Sequence, residues 1–148
     1  MTMAHSTNYF DTFIAVAPDT RASAGLEPKV TANPTVARRM FEMLHLAPYR
    51  HTSDAVLFGV HVDRKAIAAR ARPAARREFF SKPLACLRAS PLPKSYGWGI
   101  HFDHKGRIAL VGMETEAYAA LAAGRNPMAG GASLTVKAAM RSKRRATG

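Results

Sequence analysis

Cysteine is almost absent. Cys86 is the single one in 148 residues, so no internal disulfide can form, and a chain without a disulfide framework fits a reducing, cytoplasmic setting. No run of about 18 apolar residues occurs, which leaves no candidate membrane span. The N-terminal MTMAHSTNYFDTF has no basic region followed by an apolar stretch, so no secretion signal is read there. The motifs CxxC, HxxxH and HExxH are missing, as are GxGxxG and the Walker phosphate loop. No metal and no cofactor are therefore expected from motif spacing.

Acidic residues are the other scarce class: 10 Asp+Glu stand against 22 Lys+Arg, a net charge of +12. The excess is localised. Residues 1–63 sum to −1, residues 64–94 to +8, residues 95–124 to −1 and residues 125–148 to +6. A clustered positive field attracts polyanions such as nucleic acid. Arg- and Ala-rich composition with a solvated tail would give the same total.

The length suits one domain, and an apolar share of 47% allows a buried core. NYFDTFIAVAPD reads as a first strand closed by Pro18, followed by a loop over 17–32. TANPTVARRMFEMLHLAP reads as a helix capped by Asn33, with Pro34 at its first position and Val36, Met40, Met43 and Leu44 on one face. SDAVLFGVHVDR alternates Val56, Phe58, Val60 and Val62 against Ala55, Leu57, Gly59, His61 and Asp63, which predicts a strand. RKAIAARARPAARREFFSKP reads as a short helix to about Ala71, then a second with Pro73 in its first turn. PLACLRAS is expected as a strand and PLPKSY as a loop.

YGWGIHFDHKGRIALVGME predicts a hairpin turning at Asp103-His104-Lys105-Gly106, with Gly106 left-handed. In that register Trp98, Ile100, Phe102, Ile108 and Leu110 share an apolar face, with Trp98 over Gly112, and Gly97, Gly99, His101, Asp103 and Arg107 share the other. METEAYAALAAG reads as a helix capped by Thr115 and ended by Gly124. RNPMAGGAS is expected as a link, and SLTVKAAMRSKRRATG as a short helix capped by Ser133 with a basic end. The expected fold is α+β: a single domain over 1–124 with about five strands in a partly antiparallel sheet and three to four helices, then a basic C-terminal segment over 125–148.

Chemistry has a few places to sit. FGVHVDRK (Phe58–Lys65) and WGIHFDHK (Trp98–Lys105) repeat one pattern forty residues apart. If both are strands of one sheet, His61, His101, Asp63 and Asp103 share a surface on which a divalent ion or a ligand could rest, or they are simply polar positions on a covered or solvated face. Cys86 and Arg88, two apart, would share a strand face, and the guanidinium would activate the thiol; a small buried residue is the other reading. RASPLPKSYGWG offers Arg88 and Lys94 for an anion, hydroxyls of Ser90, Ser95 and Tyr96, and accessible backbone at Gly97 and Gly99.

The order of TSDAVLF, FFSKPLACLRASPLPKSYGWGIHFDHKGRIALVGMETEAY and MRSKR resembles a family of short bacterial proteins classed only as a domain of unknown function. The resemblance covers nearly the whole chain from NYFDTFIAVAPD. It implies a bacterial origin and a single domain, and carries no activity, substrate or catalytic residue. A looser likeness, GRIALVGMETEAYAAL followed by MRSKR, is to small bacterial double-wing proteins proposed to bind DNA.

Two functions follow from the residues. The first is a binding module for nucleic acid or another polyanion, with phosphate contacts from Arg70, Arg72, Arg76 and Arg77 and a second patch of Arg141, Lys143, Arg144 and Arg145. The second is a small-molecule site or enzyme on the Gly/His face, using His61, His101, Arg88 and Lys94 with Ser90, Tyr96, Gly97 and Gly99. A homodimer held by an exposed sheet face is compatible with either.

Overall fold

The computed structural model describes residues 5–127, 130 and 132–141. Strand β1 (Thr12–Ala15) leads through a long loop to helix α1 (Val36–Leu44), strand β2 (His51–Thr52) and helix α2 (Ser53–Lys65). A 3₁₀ turn at Ala69–Ala71 precedes helix α3 (Arg72–Phe79), and a second at Leu87–Ala89 precedes helix α4 (Pro91–Ser95). Strands β3 (Trp98–Phe102) and β4 (Arg107–Gly112) form the hairpin, followed by helix α5 (Glu116–Ala122). Short strands β5 (Arg125–Asn126) and β6 (Ala132–Ser133) pair with each other before β7 (Thr135–Ala138). The main sheet has the order β2-β4-β3-β1-β7. Its pairs are antiparallel except β1 with β7. The α+β expectation therefore holds, with a mixed five-stranded sheet.

Alternation along the strands sorts the sheet into two faces. Ile14, Ile100, Phe102 and Ile108 turn to one side and meet Met40, Phe41 and Leu44 of α1, Val56 and Val60 of α2, and Leu87 and Leu92 in a single buried cluster. Phe13, His101 and Ala109 turn to the other side, where the Phe13 ring meets Tyr118 of α5 edge-on at 5.2 Å.

The hairpin has the expected register, with Trp98 opposite Gly112, Ile100 opposite Leu110 and Phe102 opposite Ile108. Asp103 Oδ1 accepts from the Lys105 and Arg107 amides, and Gly106 takes φ 78. The ring of Trp98 does not lie over Gly112, where the carboxylate of Glu114 sits; it covers Gly25 and donates from Nε1 to the Leu26 carbonyl at 2.8 Å. Thr115 caps α5 as expected, and Pro73 stands in the first turn of α3.

Four expectations fail. SDAVLFGVHVDR is helix α2, not a strand. Val56, Val60 and their neighbours satisfy a helical stripe as well as an alternating one, and the Thr52 hydroxyl accepts from the Ala55 amide, which starts a helix. PLACLRAS is irregular chain with the Leu87–Ala89 turn, because Pro83 and the packing of Leu87 hold it off any sheet edge. PLPKSY is helix α4 rather than loop, its prolines standing where no amide donor is needed. The segment after Ser133 adds β7 to the open edge of β1 rather than forming a helix. At α1 the helix starts later than expected, with Thr35 instead of Asn33 as its cap.

Candidate functional site

The helix that stands in place of the SDAVLFGVHVDR strand decides where the histidines go. His61 rides on α2, on the side of the sheet that holds the main core, and His101 is on β3 with its side chain on the opposite side. His61, His101, Asp63 and Asp103 thus share no surface. Asp63 lies 4.0 Å from Arg39, and Asp103 is used up in its own turn. Among the described residues no three His, Cys, Asp or Glu side chains gather as a metal site.

His101 is 1% exposed. Its Nδ1 stands 2.8 Å from the Tyr49 hydroxyl, and its Nε2 has no hydrogen-bond partner. Burial pushes its pKa down, with Asp103 and Asp11 pulling weakly the other way, and burial pushes the Tyr49 phenol up. The two glycines that were to open the backbone are closed. A Cβ on Gly99 would meet the Phe13 ring at 2.4 Å, and one on Gly97, at φ 78, would meet the Ala24 carbonyl at 2.2 Å. These glycines admit neighbouring protein instead of a ligand.

The rest of RASPLPKSYGWG is equally structural. Arg88 Nε donates to the Ala138 carbonyl at 2.8 Å, tying β7 down. Ser90 is buried and donates to Leu87 O, Tyr96 packs against the core, and Lys94 is half-buried on α4. Cys86 accepts from the Tyr9 hydroxyl at 3.3 Å, and that bond is the main cause raising the Tyr9 pKa. Arg88 and Cys86 do not share a strand face.

The basic segment stands differently. Between residues 64 and 82 there are seven Lys and Arg and a single acid, Glu78. Arg64, Lys65, Arg70, Arg72, Arg76, Arg77 and Lys82 are all exposed. Among the described residues none of the seven has a carboxylate within ion-pair distance. Helix α3 buries none of its residues. What attaches it is aromatic: Phe80 is 5% exposed, Phe58 of α2 meets Phe79 at 5.7 Å and Phe80 at 6.3 Å, and the Arg76 guanidinium lies 5.5 Å from Phe58 and 4.8 Å from Phe80.

Two depressions flank α3. One, of about 440 Å³, is lined by Met43, Phe58, Gly59 and Asp63 with Arg72 and Arg76 on its rim. The other, of about 430 Å³, is lined by His61, Ile67, Glu78, Phe79, Lys82 and Leu84. Sequence reasoning found the arginines and missed Phe58, Phe79 and Lys82. The FF pair beside RR in RREFF was the available signal, an aromatic interleaved with basic residues. Of the second patch, Arg141 is exposed at the end of the described chain; Lys143, Arg144 and Arg145 lie outside the described residues.

A family model matches residues 4–145, almost the full length. The chain belongs to DUF6157. This is a family of unknown function, which agrees with the resemblance to an uncharacterised domain family. No curated protein and no solved structure matches the chain. Membership in DUF6157 therefore brings no catalytic residue or ligand, and the site must be judged on its own geometry. No helix among the described residues is long and apolar enough to cross a membrane.

Proposed function

We propose that the chain is a nucleic-acid-binding module whose contact surface is α3 and the end of α2. One observation carries the reading. A helix with no fully buried residue presents Arg72, Arg76 and Arg77, and among the described residues no carboxylate lies within ion-pair distance of them or of their neighbours Arg64, Lys65, Arg70 and Lys82. Like charges crowded on one short segment repel one another, and a polyphosphate relieves that repulsion by contacts that release counterions. Arg76 is held over Phe58 and Phe80, so its guanidinium is already partly ordered before a phosphate arrives. The Gly/His face offers no comparable surface, because Gly99 and His101 are covered.

The test is affinity for short DNA and RNA, as single strands and duplexes, at two or more salt concentrations. Binding weakens steeply as salt rises, and each phosphate contact adds about 0.9 to the logarithmic slope for duplex and about 0.7 for single strands. Replacing Arg70, Arg72, Arg76 and Arg77 with Ser flattens that slope by two or more contacts' worth, while a chain ending at Arg141 keeps most of it. Absence of binding at low salt, or a slope carried wholly by residues 142–148, would refute the reading.

A further inference from the structure

The two flanks of α3 differ in chemistry. Arg72 and Arg76, one turn apart, rim the first depression and favour anions. The second cleft is lined by an aromatic pair: the rings of His61 and Phe79 pack against each other, centroids 4.7 Å apart and planes tilted by 32°. Ile67 and Leu84 add apolar lining, and Glu78 and Lys82 supply one charge of each sign. Its volume, about 430 Å³, falls in the range of about 300–1,000 Å³ common for small-ligand sites.

A phosphate favours the first flank, where two arginines outnumber Asp63, over the second, where Glu78 offsets Lys82. A nucleobase suits the second on every count. Its apolar face stacks on the ring that the His61/Phe79 pair presents to the cleft. Its ring amino or imino hydrogens find the Glu78 carboxylate, and its carbonyl oxygen finds the Lys82 ammonium. The two flanks are joined by rings: Arg76 lies 5.5 Å from Phe58, and Phe58 lies 5.7 Å from Phe79. A backbone held by the arginines therefore passes one ring away from the base cleft.

Resting on the nucleic-acid reading above, we infer that the preferred partner is a single strand, with one unpaired base seated in the His61/Phe79 cleft and its phosphates on Arg72 and Arg76. A duplex keeps its bases paired and stacked, and must flip one out to reach the cleft.

The experiment titrates the full chain with a labelled twelve-residue strand, as DNA and as RNA, with the same DNA strand built on abasic sugars, and with the duplex of equal length. The intact strand binds more tightly than the abasic strand by about tenfold, as loss of one stacked base implies. Phe79→Leu and, separately, His61→Ala lower intact-strand affinity by more than they lower abasic-strand or duplex affinity, so the preference for the intact strand falls towards one. The stronger of the DNA and RNA arms identifies the sugar. If intact and abasic strands bind alike, or neither variant alters strand binding, the base cleft is overturned while polyanion binding stands. If no nucleic acid binds at low salt, both readings fall together.

Discussion

Protonating His101 works against the fold. The imidazole is enclosed, with Tyr49 at Nδ1 and nothing at Nε2. With Tyr49 donating, the proton of the neutral ring sits on Nε2, so a buried donor goes unpaired, and a second proton would add an enclosed charge. Burial is the main cause, and it sets the folded pKa below the ordinary value of about 6.5. The unfolded chain thus takes up its proton first as the pH falls. Stability from the neutral ring is full above about pH 6.5 and is lost as pH drops through the folded pKa. Urea unfolding at about pH 7.5 and about pH 5 measures this, using His101→Gln as the comparison. The wild-type protein loses more stability on acidification than the variant does. Equal losses in the two proteins would remove His101 as the titrating group. The sequence showed that His101 would share a face with Gly99, and the alternation was right. What it could not show was that Phe13 and Tyr118, eighty-six residues before and nineteen after Gly99, close that face.

At the scale of an element, α2 is where local pattern and structure part company. Val56, Phe58, Val60 and Val62 alternate, and β-branched residues favour strands. Yet Val56 and Val60 are one helical turn apart, Thr52 caps the first turn, Asp54 lies at the positive end of the helix dipole and Arg64 and Lys65 at the negative end. Those terminal signals outweigh a short alternation, and they were legible. The same helix ends at a residue that is wrong for its conformation. Ala66 takes φ 50, and the Ile67 amide closes on Val62 O at 3.1 Å in a left-handed cap. A side chain in that region costs about 1–2 kcal/mol. Ala66 is exposed, so removing its methyl loses no packing. Ala66→Gly therefore raises stability by roughly 0.5–1 kcal/mol, after the extra freedom glycine gives the unfolded chain. Denaturant midpoints of the two proteins decide it; a lower midpoint for the glycine variant would contradict the assigned cap.

For the whole molecule, the decisive contact joins the first strand to the last. β7 lies parallel to β1 at the open edge of the sheet, so everything from α1 to β6 separates the two strands. No local pattern predicts such a pairing: a four-residue TVKA is neutral between helix and strand, and the vacant edge of β1 settles it. Arg88 then fixes the strand from outside, donating Nε–H to Ala138 O while its own carbonyl accepts the Met140 amide at 2.8 Å. A hydrogen bond from a charged donor is worth about 1.5–3 kcal/mol. Arg88→Met keeps much of the stem's packing and removes that donor. The expected result is local: faster hydrogen exchange at the Thr135 and Ala139 amides, which bond Asp11 O and Ala15 O, with little change at the β3–β4 pair. Nucleic-acid affinity should stay within the loss of one phosphate contact, because Arg72 and Arg76 are untouched. Arg88 was also a candidate anion holder on sequence grounds, and this variant separates the two roles. Unchanged exchange at β7 with a large loss of affinity would return Arg88 to the binding surface; fast exchange with affinity intact makes it the strap that lets the chain's end complete the sheet.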